Sequence, residues 1–569
     1  MYRKGISIII IFFCILYSYG QNIIHTEMLG RPTNSSIAVK VIFDTLVETR
    51  VSYGTQSGVY PGHTSWQQVN TDSTGEAVAV INILNLIADT QYYYKLQYRK
   101  PGDSTSVSRN QHSFHTARMP GEAFTFVIQA DPHLDAASDT ALYRLCLHNQ
   151  LDDNPDFMID LGDFLMTDKL KNTHGIVPED TIPYRCKLLR SYYETINHSV
   201  PLFTVLGNHE GEEGWYLNGT SNNVAVWDTK YRKKYFMNPV PDNFYSGDTT
   251  HNTFVGQREA YFSWTWGDAL FVVLDPFWYT SPKPDSLHCW RWTLGKPQYD
   301  WLKTTLENSP SKFKFVFIHN LFGGIITDNG EGRGGVETAD YYEWGGLNKD
   351  STDGWAANRP GWYKPIKDLL KEHEVTAIFH GHDHLFAKQE MDCLLYQEVP
   401  QPSLPNFANV PQAIDYGYLH GVIIPNSGHL RVTVSPTGVT VDYVRAVRPS
   451  QQTASLHNKD ISETYFINMN CYDSLHNGIN SKENDKFNII TVYPNPTSNS
   501  LVVQAETSKG YDRPITLINI MGETVGTGTL KGGDTSVQLI IADLSSGVYF
   551  VRVFDNINTS VFKITISKR

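Results

Sequence analysis

The chain has 569 residues, too many for one hydrophobic core, so two to four domains are expected. Its 41% hydrophobic and 12% aromatic content belongs to a globular protein and excludes a disordered or fibrous class. The formal charge is -12 and no block of Lys and Arg occurs, which disfavours a protein built to grip nucleic acid.

The amino terminus, "MYRKGISIIIIFFCILYSYGQN", sets Arg3 and Lys4 before an apolar stretch from Ile6 to Tyr17, with Ser18 and Gly20 behind it. This predicts an export signal over residues 1–20, cleaved before Gln21. The stretch is short for a membrane span of about 20 residues, and no later run is long and apolar enough to span. Cleavage leaves Cys146, Cys186, Cys289, Cys393 and Cys471, none in a C-x-x-C pair. A thiolate metal site is therefore not expected, and at most two disulfides are.

Residues 22–118 read as short strands divided by turns: "SSIAVKVIF", "TRVSYGTQ", "EAVAVINILNL" and "QYYYKLQYR". This spacing without helical stretches predicts a β-sandwich. From 121 to 450 strands alternate with helix-like segments, predicting an α/β layered domain. The strands are "AFTFVIQ", "FMIDL", "PLFTVL", "ALFVVL", "KFKFVFI" and "VTAIF". The helices are "DTALYRLCLHNQL", "KPQYDWLKTTLEN" and "WYKPIKDLLKEH". "YFSWTWGDALFVVLD" predicts a hairpin turning at Gly267-Asp268. Residues 451–487 are polar and aperiodic, a predicted linker, and 488–569 form a small all-β domain.

The chemistry stands where the central strands stop. "FVIQA" leads to Asp131 and His133, "FMIDL" to Asp163, "FTVL" to Asn208, His209 and Glu210, "FVFI" to His319, and "VTAIF" to His380, His382 and His384. Loops converge at the carboxyl ends of strands in open α/β sheets, so these side chains are expected at one place. Carboxylates, imidazoles and one amide oxygen suit Zn, Mn or Fe, and they are too many for one ion. Two ions sharing a carboxylate fit the number. Asp160 and Asp275 read as structural residues at strand ends. The aromatic segment from Trp215 to Tyr245 reads equally as a wall of the cleft or as a packed insertion. Arg333, in "NGEGRGG", is a candidate phosphate contact.

Taken in order, D-x-H, G-D, G-N-H-E, a lone His and G-H-x-H resemble the calcineurin-like metallophosphoesterase superfamily. The preceding β-sandwich (fibronectin type III-like) resembles the amino-terminal domain of purple acid phosphatases. The resemblance implies a first metal group of Asp131, His133, Asp163 and His384. It implies a second of Asn208, His319 and His382, with Asp163 as the bridge. His209 is the implied catalytic residue, and a hydroxide held between two divalent ions (Fe, Mn or Zn) is the implied nucleophile. Glu210 and Asp383 are expected to orient neighbouring imidazoles, while His380 matches no ligand. Purple acid phosphatases carry a tyrosine three residues after the bridging aspartate; Met166 stands there in this chain, so iron–tyrosinate chemistry is not carried over. "YPNP", "LINIMGETV" and "IADLSSGVYFVRV" resemble the type IX secretion sorting domain, implying export by that machinery to the surface or medium. The reading is a secreted dinuclear phosphomonoesterase acting on a small phosphate ester. A phosphodiesterase or nucleotidase on the same site is the alternative, and a non-catalytic surface binding protein ranks below both.

Overall fold

Alternation along single strands sets the layers of the central domain. In the computed structural model, Phe126 and Ile128 of the strand Phe124–Gln129 face one core while Val127 faces another. Phe315 and Phe317 of Phe313–Phe317 turn to the first core, and Val316 turns away. That is the two-residue period of a pleat buried on both sides. Residues 22–321, 332–408 and 410–467 are described, as are 490–494, 497–505, 507–519, 524–555 and 558–568. The expected export signal and Cys471 lie outside them. Two compact units divide the chain, Met1–Asp473 and Ser474–Arg569.

The phenylalanine-rich core lies between two sheets. One orders its strands Leu202–Thr204, Phe157–Asp160, Phe124–Gln129, Gly428–Ser435, Gly438–Arg445 and Ile461–Ile467. The other has eight, with Ala269–Val273, Phe313–Phe317, Ala377–His380 and Leu394–Glu398 as parallel neighbours in its middle. Helices cover both outer faces. Thr140–Asp152 and Ile182–Tyr193 lay Leu147, Ile182, Cys186 and Leu189 against Val127 and Met158. Lys296–Glu307 and Ile366–Glu372 lay Leu302, Leu306, Ile366 and Leu369 against Val272 and Val316. The hairpin Phe262–Trp266/Ala269–Val273 turns at Gly267, as its sequence predicts.

Before this domain, two sheets share a core of Leu29, Val39, Val41, Val51, Ile81, Tyr94 and Leu96. The C-terminal unit has a three-stranded and a four-stranded sheet around Leu501, Val503, Leu517, Val551 and Ile564. No helix among the described residues is long and apolar enough to cross a membrane. Cys146, Cys186 and Cys289 are free and buried, and Cys393 is disulfide-bonded.

The expected linker from 451 begins too early. Ile461–Ile467 is an edge strand paired with Gly438–Arg445, and only Tyr465 of its seven residues is buried. An outward-facing edge strand needs few apolar residues, so its sequence looks like a linker. Tyr465 donates its hydroxyl to Gln397 Oε1 (2.7 Å), and Asn458 exchanges side-chain bonds with Asn149 (2.8 and 3.0 Å). A chain of residues 22–450 is therefore expected to be less stable than one of residues 22–473 by about 3 kcal/mol or more, the scale of deleting a packed aromatic side chain. Urea unfolding of the two truncations checks this; coincident midpoints would contradict it.

Candidate metal centre

Glycine lets the loops after the strands approach one another. A Cβ on Gly207 would stand 2.3 Å from Asp163 Oδ1, and one on Gly381 would stand 2.7 Å from Asp131 Oδ2. With those glycines in place, the seven expected ligands come together from both sheets. Asp131 Oδ1 lies 3.8 Å from His133 Nε2 and 3.5 Å from His384 Nε2. Asp163 Oδ2 lies 3.6 Å from His133 Nε2 and 3.3 Å from His319 Nε2. His319 Nε2 is 3.0 Å from Asn208 Oδ1 and 3.3 Å from His382 Nδ1.

Three sets of side chains here have ligand atoms close enough to hold an ion: Asp131, His133 and His384; Asp163, His319 and His382; and His133, Asp163 and His209. Asp163 stands between the first two, 1% exposed. Asp131 Oδ1, Asp163 Oδ2 and His133 Nε2 are buried without a hydrogen-bond partner. Buried polar atoms left unpaired are costly, and three aimed at a common space fit cations held there. The donor set also fits, being oxygen and imidazole nitrogen throughout. Asn208, His209 and His384 are only half-buried and mark the open side of the cluster.

Protons and cations compete for these groups. Burial alone would raise the Asp163 carboxyl, but the charges of His319 and His209 hold it well below the usual carboxylate range. Asp131 is likewise lowered against burial, by His133 and His384. Burial opposes a charge on His319, yet Asp163 lifts it to about 9. His382 goes the other way, pushed well down by burial, Arg333 and His319. Carboxylates that hold protons on nearby imidazoles would hold metal cations in their place.

The orienting groups differ from those expected. Glu210 touches no imidazole. It accepts the backbone N–H groups of Asp163 (2.9 Å), Phe164 (2.8 Å), Leu165 (3.0 Å) and Gly207, tying two loops together. Asp383 also meets no imidazole: Arg333 Nη1 (3.0 Å), Gly334 N (2.8 Å) and Tyr418 OH (2.8 Å) donate to it. The rings are aimed by other partners. His319 Nδ1 donates to Leu161 O (2.8 Å), and His209 Nδ1 to Asp168 Oδ1 (2.7 Å). Asp168 has one signal in the sequence, a carboxylate five residues beyond Asp163. His380 Nδ1 lies 2.6 Å from Glu398 Oε2, and burial pushes the imidazole down to about 3 and the carboxyl well up.

Asp160 is structural, accepting Gly162 N (3.0 Å) and Tyr193 OH (2.7 Å), and Asp275 pairs with Arg258. Within the 215–245 segment, the helix Val224–Tyr235 buries Asp228, Thr229 and Arg232 as well as Ala225 and Val226. Part of that segment is thus packed insertion. Buried polar positions hid its apolar stripe.

Residues 124–386 match the family model for calcineurin-like phosphoesterases, and 491–567 match that for a secretion system C-terminal sorting domain. No curated protein matches the chain. A solved structure of PhoD is similar at 15% identity over 80% of this chain and 92% of that one, with a TM-score of 0.55. The purple acid phosphatase PPD1 from yellow lupin (Lupinus luteus) seeds is similar at 13% identity over 78% and 74%, with a TM-score of 0.51. At these identities the likeness is one of fold.

Glu210→Gln should separate the brace from the ligands. A glutamine cannot accept four converging N–H groups, because its amide nitrogen is itself a donor. An unsatisfied buried donor costs about 1–3 kcal/mol. We expect the metal-free protein to lose about 2 kcal/mol or more in urea unfolding, with weaker metal retention. An unchanged midpoint would show that Glu210 does not hold the loops.

Proposed function

We propose that this chain, which carries a calcineurin-like phosphoesterase domain and a type IX sorting domain, is an exported metal-dependent phosphoesterase that hydrolyses small phosphate monoesters on a dinuclear centre. The observation carrying this reading is the pair of ligand sets joined at Asp163, with unpaired buried oxygens on both carboxylates. Asp131, His133 and His384 would hold one ion and Asn208, His319 and His382 the other, with Asp163 shared. When bound, the ions supply Lewis acidity towards phosphoryl oxygens and a water-derived nucleophile near neutral pH.

The rest falls to the protein's own side chains. Asp131 and Asp163 contribute the negative charge that retains cations in a buried place. His209 sits on the open side with Nδ1 fixed by Asp168 and Nε2 3.9 Å from Asp163 Oδ2. Against the lowering effect of burial, Asp163 and Asp168 raise its pKa. His209 is thereby suited to hold a proton at Nε2 and give it to the departing alcohol oxygen. Arg333 lies beside His382, donating to its carbonyl (3.0 Å), and its charge helps to lower that imidazole. A panel of monoesters and diesters tests the substrate class. Faster turnover of diesters would favour the phosphodiesterase alternative.

Asp163→Ala should abolish hydrolysis and lower the bound metal, since it removes the shared carboxylate. His209→Ala should keep both ions and slow turnover roughly 100- to 10,000-fold, the usual contribution of an acid–base group. Metal content by elemental analysis, alongside rates, distinguishes them. An emptied centre in His209→Ala would make it a ligand instead.

Met166 is buried, at the position where a tyrosine would place a phenolate. A thioether is a soft, weak donor to ferric ion. The iron-loaded protein should therefore show no intense visible charge-transfer band. Such a band, lost on mutating a nearby tyrosine, would show that the first group is wrongly assigned.

A further inference from the structure

His382 and His384 belong to different ligand sets but are separated only by Asp383, so each needs its own restraint if the two are to be held independently. Both stand on left-handed backbone, with φ of +82° and +58°. That conformation is unfavourable for a residue with a Cβ and persists only where its surroundings impose it. The restraints come from different parts of the chain. The His382 N–H donates to Asp131 Oδ2 (2.8 Å), and its carbonyl accepts Arg333 Nη1 (3.0 Å). The His384 carbonyl instead accepts Asn426 Nδ2 (2.7 Å), while Asn426 Oδ1 accepts Gln401 N (3.0 Å).

Arg333 is itself fixed. The nitrogen that reaches His382 also donates to Asp383 Oδ1 (3.0 Å), and the guanidinium lies 4.4 Å from the Tyr416 ring centre. Asp383 Oδ2 takes Gly334 N and Tyr418 OH, both at 2.8 Å. The guanidinium is thus held between an aromatic face and a carboxylate, with its donor aimed at a ligand's own peptide group. Asn426, 0% exposed, is equally fixed.

We propose that Arg333 and Asn426 are positioning residues that separately set the affinities of the two metal groups: Arg333 acts through His382 on the group with His319, and Asn426 through His384 on the group with Asp131. The proposal rests on the dinuclear reading above. It gives Arg333 a task beyond contact with phosphate, and it makes the loading of each ion separately adjustable. Partners behind a ligand typically change metal affinity 10- to 100-fold.

The test is Mn²⁺ binding to the full chain by calorimetry in two backgrounds, each with one group crippled. His133→Ala leaves the His319 group, and His319→Ala leaves the His133 group. Adding Arg333→Ala should weaken Mn²⁺ binding about tenfold or more in the His133→Ala background and less than about threefold in the other. Asn426→Ala should show the reverse pattern, and Arg333→Lys should recover part of the loss. A general weakening of the fold would affect both backgrounds alike. Should Arg333→Ala fail to fold, Arg333→Gln is measured in its place. Equal effects in both backgrounds, or none in either, would overturn the proposal. If the unmutated chain binds no Mn²⁺ at all, the dinuclear reading fails first and this proposal with it.

Discussion

Five of the seven ligand-type residues are held in left-handed backbone: Asp131, His133, Asp163, His382 and His384. This is the constraint around which the centre is built. Each strand must stop and turn sharply so that its first polar side chain points back across the sheet edge, and L-residues resist that turn. Each such residue costs on the order of 1–3 kcal/mol. Five together rival the whole net stability of a domain, about 5–15 kcal/mol. The arrangement persists because the loops are over-determined by hydrogen bonds that do nothing else.

Two of the braces share a pattern. A buried charged side chain takes the polar backbone groups of a loop it does not belong to. Glu210 gathers N–H groups beside Asp163, and Arg185 donates to the carbonyls of His133, Leu134 and Leu165. Buried charge is costly by itself. Surrounded by several backbone dipoles of the right sign it becomes a rigid post, and it brings loops from distant strands into one register. Glu210 is raised to about 7 by burial and by Asp163, against the pull of its amide donors. The brace and the ligand thus repel each other, and a cation beside Asp163 would relieve both.

Much of this was legible in the sequence, and the reason is geometric. A strand buried on both faces reads as an unbroken apolar run, so its end is visible, and the polar residue after it is visible too. That is why Asp131, Asp163, Asn208, His319 and His382 could be found at five strand ends. What stayed hidden depends on contacts between distant segments. Asp168 looks like any surface aspartate until the fold sets it against His209. Arg333 is visible in sequence only as a candidate phosphate contact and Asn426 not at all, because their partners are main-chain carbonyls 49 and 42 residues away. Glu210 is conspicuous in G-N-H-E, but its partners are backbone N–H groups, which a sequence does not display. The strand Ile461–Ile467 has no legible pattern, because one buried tyrosine does not make a period.

The amino-terminal sandwich bears on whether the chain is an enzyme or a surface binding module. An independent module would meet its neighbour through a modest, polar contact. Here Arg190, fully buried in the central domain, donates to the carbonyls of Thr26 and Lys40 in the sandwich and of Tyr235 at the end of the helix Val224–Tyr235. Lys40 in turn reaches from the sandwich to the carbonyls of Lys233 and Phe236, capping that helix with a buried amine. The same helix carries Asp228, which accepts the hydroxyl of Thr167, next to the Asp168 that aims His209. Hydrogen bonds and covalent backbone links therefore connect the sandwich to the edge of the candidate metal centre. Such a joint fits a sandwich that buttresses the loops around the candidate metal centre, and it is an expensive way to attach a domain whose task lies elsewhere.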